Sequence, residues 1–237
     1  IASYPTHGGD AEQLLVLAQD AQRRARGQNQ QIAVASLDGG KTTPQSLDIE
    51  RALRRALENN EFHLVYQPQM DLRAGRIVGV EALLRWNHPE RGPVPPVQFI
   101  PLLEETGLIS AVGNWVLETA CSQAKTWADA GMPLRVGINL SPRQFVNPEL
   151  FVQVINAVRR SGVHARLIEL EITESLAMQD PDHSIDILER FRQQGFQIAI
   201  DDFGIGHSSL EYLLRFPLDA IKIDRAFVMN ITSNQAD

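Results

Sequence analysis

Residues 196–216 read Phe196-Gln197-Ile198-Ala199-Ile200-Asp201-Asp202-Phe203-Gly204-Ile205-Gly206-His207-Ser208-Ser209-Leu210-Glu211-Tyr212-Leu213-Leu214-Arg215-Phe216. An apolar, β-branched run stops at two carboxylates, a glycine-containing loop follows, and a helical pattern opens at Ser209. Strand, loop and helix in this order form one half of a βαβ step. The same grammar extends outward in both directions. Strand-like runs occur at Phe62–Gln67, Ile77–Arg85, Arg135–Leu140, Leu167–Ile172 and Ala220–Asp224. Helical patterns lie at Leu47–Asn60, Pro96–Thr106, Ala111–Ala130, Pro148–Ser161 and Asp182–Gln194. Repeated alternation implies parallel pairing through right-handed crossovers, and therefore an α/β chain of the (β/α)8 barrel kind.

Each of the five strands from Ile77–Arg85 onward closes its apolar run with a polar group: Glu81, Asn139, Glu171, Asp201 and Lys222. The last four are about 20 to 30 residues apart, the size of one βαβ step, so each repeat delivers its group to the same end of the sheet. In a barrel those ends converge on one mouth. Five carboxylates there, Glu81, Glu171, Glu174, Asp201 and Asp202, repel one another unless cations lie among them. An all-oxygen set suits Mg2+ or Mn2+, and no His-x-x-x-His or Cys-x-x-Cys pair favours zinc. At a strand end both Asp201 and Asp202 can turn inward and bridge two ions, the arrangement that serves phosphodiester cleavage. Lys222 adds a fixed positive charge for a phosphate oxygen or an attacking water.

Composition sets the outer limits. The 237 residues are 43% hydrophobic and 22% charged, with a net charge of −7, which describes a globular chain. The acidic balance speaks against a sequence-independent binder of duplex nucleic acid. No apolar run approaches the roughly 20 residues of a spanning helix, so no membrane segment is expected. The single Cys121 lies in a helical pattern and reads as a buried, inert thiol, consistent with a reducing cytoplasm. Arg23, Arg24, Arg26 and Lys41 cancel Asp10, Glu12, Asp20 and Asp38 over residues 1–46, so the negative charge belongs to residues 47–237. Ser36–Ser46, rich in Gly, Thr and Ser, reads as a linker. Glu90–Pro96 reads as a surface loop, and Trp115–Ala130 as an outer barrel helix.

Residues 47–237 closely resemble an EAL domain, the cyclic di-GMP phosphodiesterase family. The resemblance rests on Tyr66-Gln67-Pro68, Glu81-Ala82-Leu83, Phe99-Ile100-Pro101 with Glu104-Glu105-Thr106-Gly107, Asn139-Leu140-Ser141, Glu171-Ile172-Thr173-Glu174, Asp201-Asp202-Phe203-Gly204 and Lys222-Ile223-Asp224, all in register. It implies that Glu81, Asn139, Glu171 and Asp201 hold one ion and that Asp201 and Asp202 hold a second. Lys222 then orients the water, Glu174 anchors the loop after Asp202, and Gln67, Leu84 and Arg85 contact the cyclic dinucleotide. The implied activity opens cyclic di-GMP to linear pGpG, within a cytoplasmic GGDEF-EAL signalling protein that is homodimeric through its EAL domain and whose parent is free or membrane-tethered. The competing functional class is a catalytically silent cyclic di-GMP receptor. A barrel enzyme of the enolase kind also combines strand-end carboxylates with a lysine, but it does not need the Asp-Asp-Phe-Gly loop.

Two further expectations follow from the resemblance. The family's barrel has a seventh strand bearing a glutamate and an eighth bearing a glutamine, so the barrel segment 47–237 is expected to be C-terminally incomplete. Residues 1–35 are similar to the C-terminal tail of a GGDEF domain, through Ile1-Ala2-x-Tyr4-Pro5 and a helix ending in Arg24-Ala25-Arg26-Gly27-Gln28-Asn29. Gly8-Gly9-Asp10 is then a turn, not that family's signature. His207 stands where the EAL family commonly has an aromatic, and reads as a loop side chain packing over Phe203.

Overall fold

The computed structural model describes residues 44–204 and 210–229, together with 1–7, 9–11, 14, 15, 17, 18, 21, 22, 32 and 34. It divides into two compact units, Ile1–Ala56 and Leu57–Asp237. In the first, positions 11, 14, 15, 17, 18, 21 and 22 are helical and Ala21 is buried. Helix α1 spans Pro44–Ala56 and buries Leu53 and Ala56. It opens three residues before the helix expected from Leu47. The rest of the expected linker, 36–43, and the expected helix end at 23–26 lie outside the described residues, as does His207.

The second unit is built on one sheet. Its strands are β1 Phe62–Asp71, β2 Arg76–His88, β3 Gly92–Val94, β4 Arg135–Asn139, β5 Ile168–Thr173, β6 Gln197–Phe203 and β7 Ala220–Ile223. They pair in the order β1-β2-β4-β5-β6-β7, with β3 joined to the end of β2. Between them run α2 Pro96–Thr106, α3 Ile109–Asp129, the short α4 Pro142–Phe145, α5 Leu150–Ser161, the short α6 Glu174–Ala177, α7 Pro181–Gln193 and α8 Leu210–Arg215. From β2 onward the main path is parallel, as the strand and helix alternation requires.

The first pair departs from parallel pairing: β1 and β2 are antiparallel from Phe62 opposite Trp86 to Asp71 opposite Arg76. Only four residues separate these strands, far too few for a crossover. Asp71 Oδ1 accepts the backbone N–H groups of Arg73 and Ala74, and Gly75, at φ 62°, completes the turn. The stretch expected as a surface loop contains β3, which folds back on β2 through Asn87 opposite Pro93.

Strand alternation sorts the side chains onto two faces. On β5, Ile168, Leu170 and Ile172 are at most 1% exposed and form the apolar face. Glu169 and Glu171 take the opposite, interior face and meet Arg135 of β4 and Lys222 of β7. A second apolar cluster joins Phe62, Trp86, Phe99 and Trp115, with ring centroids 5.7 to 6.5 Å apart, and ties β1 and β2 to α2 and α3. Cys121 of α3 is buried, and burial pushes its thiol up to about 12, which makes it inert at neutral pH.

Candidate active site

The interior face carries its polar groups up a staircase. Register places Glu81 beside Gly137, Asn139 beside Glu171, and Glu171 beside Ala199. Asn139 and Asp201 therefore each sit one inward position beyond the residue paired with the preceding strand's polar group. Strand tilt in a closing sheet produces this stagger. It corrects the expectation that every polar group ends its strand: Glu81 lies within β2, which continues to His88 because β1 and β3 keep pairing with it. Parallel pairing with β4 ends one residue further on, at Ala82 opposite Ile138, while β2 itself runs on.

The staircase closes around one ammonium. Lys222 Nζ donates to Glu171 Oε2 at 2.7 Å, Glu81 Oε2 at 2.8 Å and Asp201 Oδ2 at 3.4 Å. Asn139 Nδ2 donates to Glu81 Oε1 at 2.8 Å. Five of the expected site residues, from five strands, are thus in one place. One oxygen each from Glu81, Glu171 and Asp201 lies within 4.8 Å of the others. Glu171 is fully buried and its Oε1 has no hydrogen-bond partner among the described residues. Burial pushes its carboxyl up to about 7; Lys222 opposes this and the charges of Glu81 and Asp201 add to it. For Lys222, burial acts to lower the pKa, but Glu171's charge and hydrogen bond, then Glu81 and Asp201, overcome it and hold the ammonium above its ordinary value. One cation does not balance three acids, and the most buried acid bears the penalty.

These residues fit a hard divalent ion. The donors are all oxygen, one buried carboxylate oxygen is unpaired, and Glu171 has room for its carboxylate because position 137 carries no side chain. A Cβ on Gly137 would collide with Glu171 Oε1 and lie 3.0 Å from its Cδ. Gly137 was not singled out from the sequence, although its place two residues before Asn139 on the same strand face was the available signal.

Asp202 stands apart from this cluster. Between Ile200 opposite Ile221 and Phe203 opposite Ile223, Asp201 and Asp202 together face Lys222, a bulge of one extra residue. Asp202 adopts φ 54°, in the left-handed region, and is exposed. Burial raises its pKa, with the charges of Asp201 and Asp224 adding and Lys222 opposing, so it feels the cluster from the rim. Glu174, 2% exposed at the start of α6, accepts the Gly204 N–H at 2.7 Å through Oε2. This ties the chain just after Asp202 to β5, the contact expected of Glu174.

The three expected dinucleotide contacts separate. Leu84 and Arg85 border a cavity of about 340 Å³ between the sheet and α2, α3 and α4, which Asn139 also borders. Arg85 Nη1 donates to the Leu84 carbonyl at 2.9 Å. Gln67 lies opposite Glu81 on β1, exposed and outside that cavity. Beneath the carboxylates is a second polar layer that sequence reading missed. Arg135 bonds Gln197 Oε1 at 3.1 Å and Gln69 Oε1 at 3.2 Å, and its Nε lies 3.3 Å from Glu169 Oε2. No helix among the described residues is long and apolar enough to cross a membrane.

Comparison with known proteins agrees with this architecture. The chain is 40% identical over 239 residues to the bifunctional diguanylate cyclase/cyclic di-GMP phosphodiesterase MucR of Pseudomonas aeruginosa, covering 100% of this chain and 35% of that protein. It is 37% identical over 232 residues to the cyclic di-GMP phosphodiesterase PdeR of Escherichia coli, covering 98% of this chain and 35% of the relative. It therefore spans about a third of the length of these relatives. The solved structure of the PaMucR phosphodiesterase in a c-di-GMP complex superposes with a TM-score of 0.78 at 44% identity, over 80% of this chain and 77% of that one. The family model for the EAL domain matches residues 50–237, and the chain belongs to the EAL domain family.

Proposed function

We propose that this chain hydrolyses cyclic di-GMP to linear pGpG with two divalent ions, Mg2+ or Mn2+, in a cytoplasmic signalling protein. The observation that carries this reading is the convergence of Glu81, Asn139, Glu171 and Asp201 around Lys222, beside a cavity bordered by Arg85. Glu81, Asn139, Glu171 and Asp201 would hold one ion, and Asp201 with Asp202 the other. When bound, such ions neutralise phosphate charge and lower the pKa of water.

The chain's own residues do the rest. Arg85 presents a planar guanidinium fork to a phosphate of the dinucleotide, a geometry that suits two oxygens at once. Lys222, charged at all physiological pH, donates to the attacking water and fixes its line of approach. Asn139 holds Glu81 by one oxygen and so fixes that carboxylate's rotamer. Glu174 holds Gly204 and thereby the bulge that carries Asp202. Water adds to phosphorus, the P–O3′ bond breaks, and the 3′-oxygen leaves with a proton, so that pGpG carries a 5′-phosphate.

The test is chromatographic. The intact protein, incubated with cyclic di-GMP and Mg2+ or Mn2+, is expected to release pGpG, and Glu81→Ala is expected to abolish this. Tight binding with no product over hours would instead define a silent receptor.

A further inference from the structure

We infer that Gly113 of α3 and Gln144 of α4 form a steric lock that sets the shape of the dinucleotide pocket, and that both act as positioning residues for substrate binding; this rests on the proposed cyclic di-GMP reading. Gly113 is buried in the first third of a 21-residue helix. A Cβ there would collide with Gln144 Nε2 and Cδ and lie 2.7 Å from its Oε1. The carboxamide thus rests on bare helix backbone.

The Gln144 amide is not free to give way. The residue is 5% exposed, and its Oε1 accepts the Ser141 N–H at 3.3 Å while Ser141 Oγ accepts the Gln144 N–H at 3.3 Å. This reciprocal capping box fixes the first turn of α4, which begins three residues after Asn139. Both sides of the lock border the cavity, together with Ser141, Asn139, Leu84 and Arg85. Asn139 itself is held by the sheet, since Leu140 N–H bonds the Glu171 carbonyl at 2.9 Å. Breaking the lock therefore disturbs the pocket wall while leaving the carboxylate cluster in place. The consequence falls on substrate binding more than on the chemical step.

A double-mutant cycle in the intact protein tests this, with Gly113→Ala, Gln144→Ala and the pair read by KM, kcat and thermal midpoint. Gly113→Ala alone is expected to raise KM for cyclic di-GMP about tenfold, with kcat within about twofold, and to lower the midpoint. In the Gln144→Ala background, where the collision is gone, the same substitution is expected to change neither KM nor midpoint. Equal effects of Gly113→Ala in both backgrounds would overturn the lock. A coupled midpoint with an unmoved KM would overturn its role in the pocket. A parent protein that neither turns over nor binds cyclic di-GMP would overturn the functional reading instead, and the midpoint cycle would still decide the lock.

Discussion

Lys222 Nζ lies 2.7 Å from Glu171 Oε2, while the other oxygen of that fully buried carboxylate has no hydrogen-bond partner among the described residues. Half of Glu171 is thus balanced by the protein and half is left for a second positive charge. Leaving a buried acceptor unpaired costs about 1 to 3 kcal/mol, which is a reason for an ion to bind there.

The pH dependence of ion binding follows. With the Glu171 carboxyl raised to about 7, an ion arriving below that pH must displace a proton. Mn2+ affinity, measured by calorimetry, is expected to fall about tenfold per pH unit below neutrality and to level off above it. The stability sign is the reverse. A carboxyl raised on folding stabilises the ion-free protein below the ordinary carboxylate range, and this contribution is lost as pH rises through about 7. Added Mn2+ should cancel that loss.

Lys222→Met removes the ammonium that Glu81, Glu171 and Asp201 share. In chelator, denaturant titration is expected to show a loss of about 3 kcal/mol, as when one partner of a buried ion pair is deleted. Divalent ions should restore most of the stability without restoring turnover, since the donor to the attacking water is gone.

Glu174→Ala frees the Gly204 N–H and the chain beside Asp202. Turnover is expected to fall about ten- to a hundredfold, the usual cost of losing a group that supports ion ligands. Raising Mn2+ should recover part of the loss. Glu174→Gln, which keeps an acceptor oxygen, should be milder in the same assay.

The lower polar layer makes a prediction about stability. Arg135→Met leaves Glu169, 1% exposed, without its guanidinium, and is expected to cost about 3 kcal/mol in denaturant titration. Arg135→Met with Glu169→Met removes both charges and should return to within about 1 kcal/mol of the parent, because a buried pair contributes little net stability against apolar replacements.

The sequence by itself determined the α/β alternation, the parallel order from β2 to β7 and the identity of the groups gathered at the mouth. Glu81, Asn139, Glu171, Asp201 and Lys222 stand out because an apolar strand should not carry them. The tertiary structure alone decided the antiparallel start, the stagger that puts Glu81 within its strand, and the bulge that turns Asp202 to the rim. It also brought Gly113 under Gln144, Gly137 under Glu171, and Arg135 across to Gln69, Glu169 and Gln197. The reason is physical. Alternation and local propensity act within a few residues, and they mark which side chains face inward. How far each strand slides against the next is set by tilt, by packing across the sheet and by the space a missing side chain leaves, and these depend on residues up to 141 positions apart, the separation of Glu81 and Lys222.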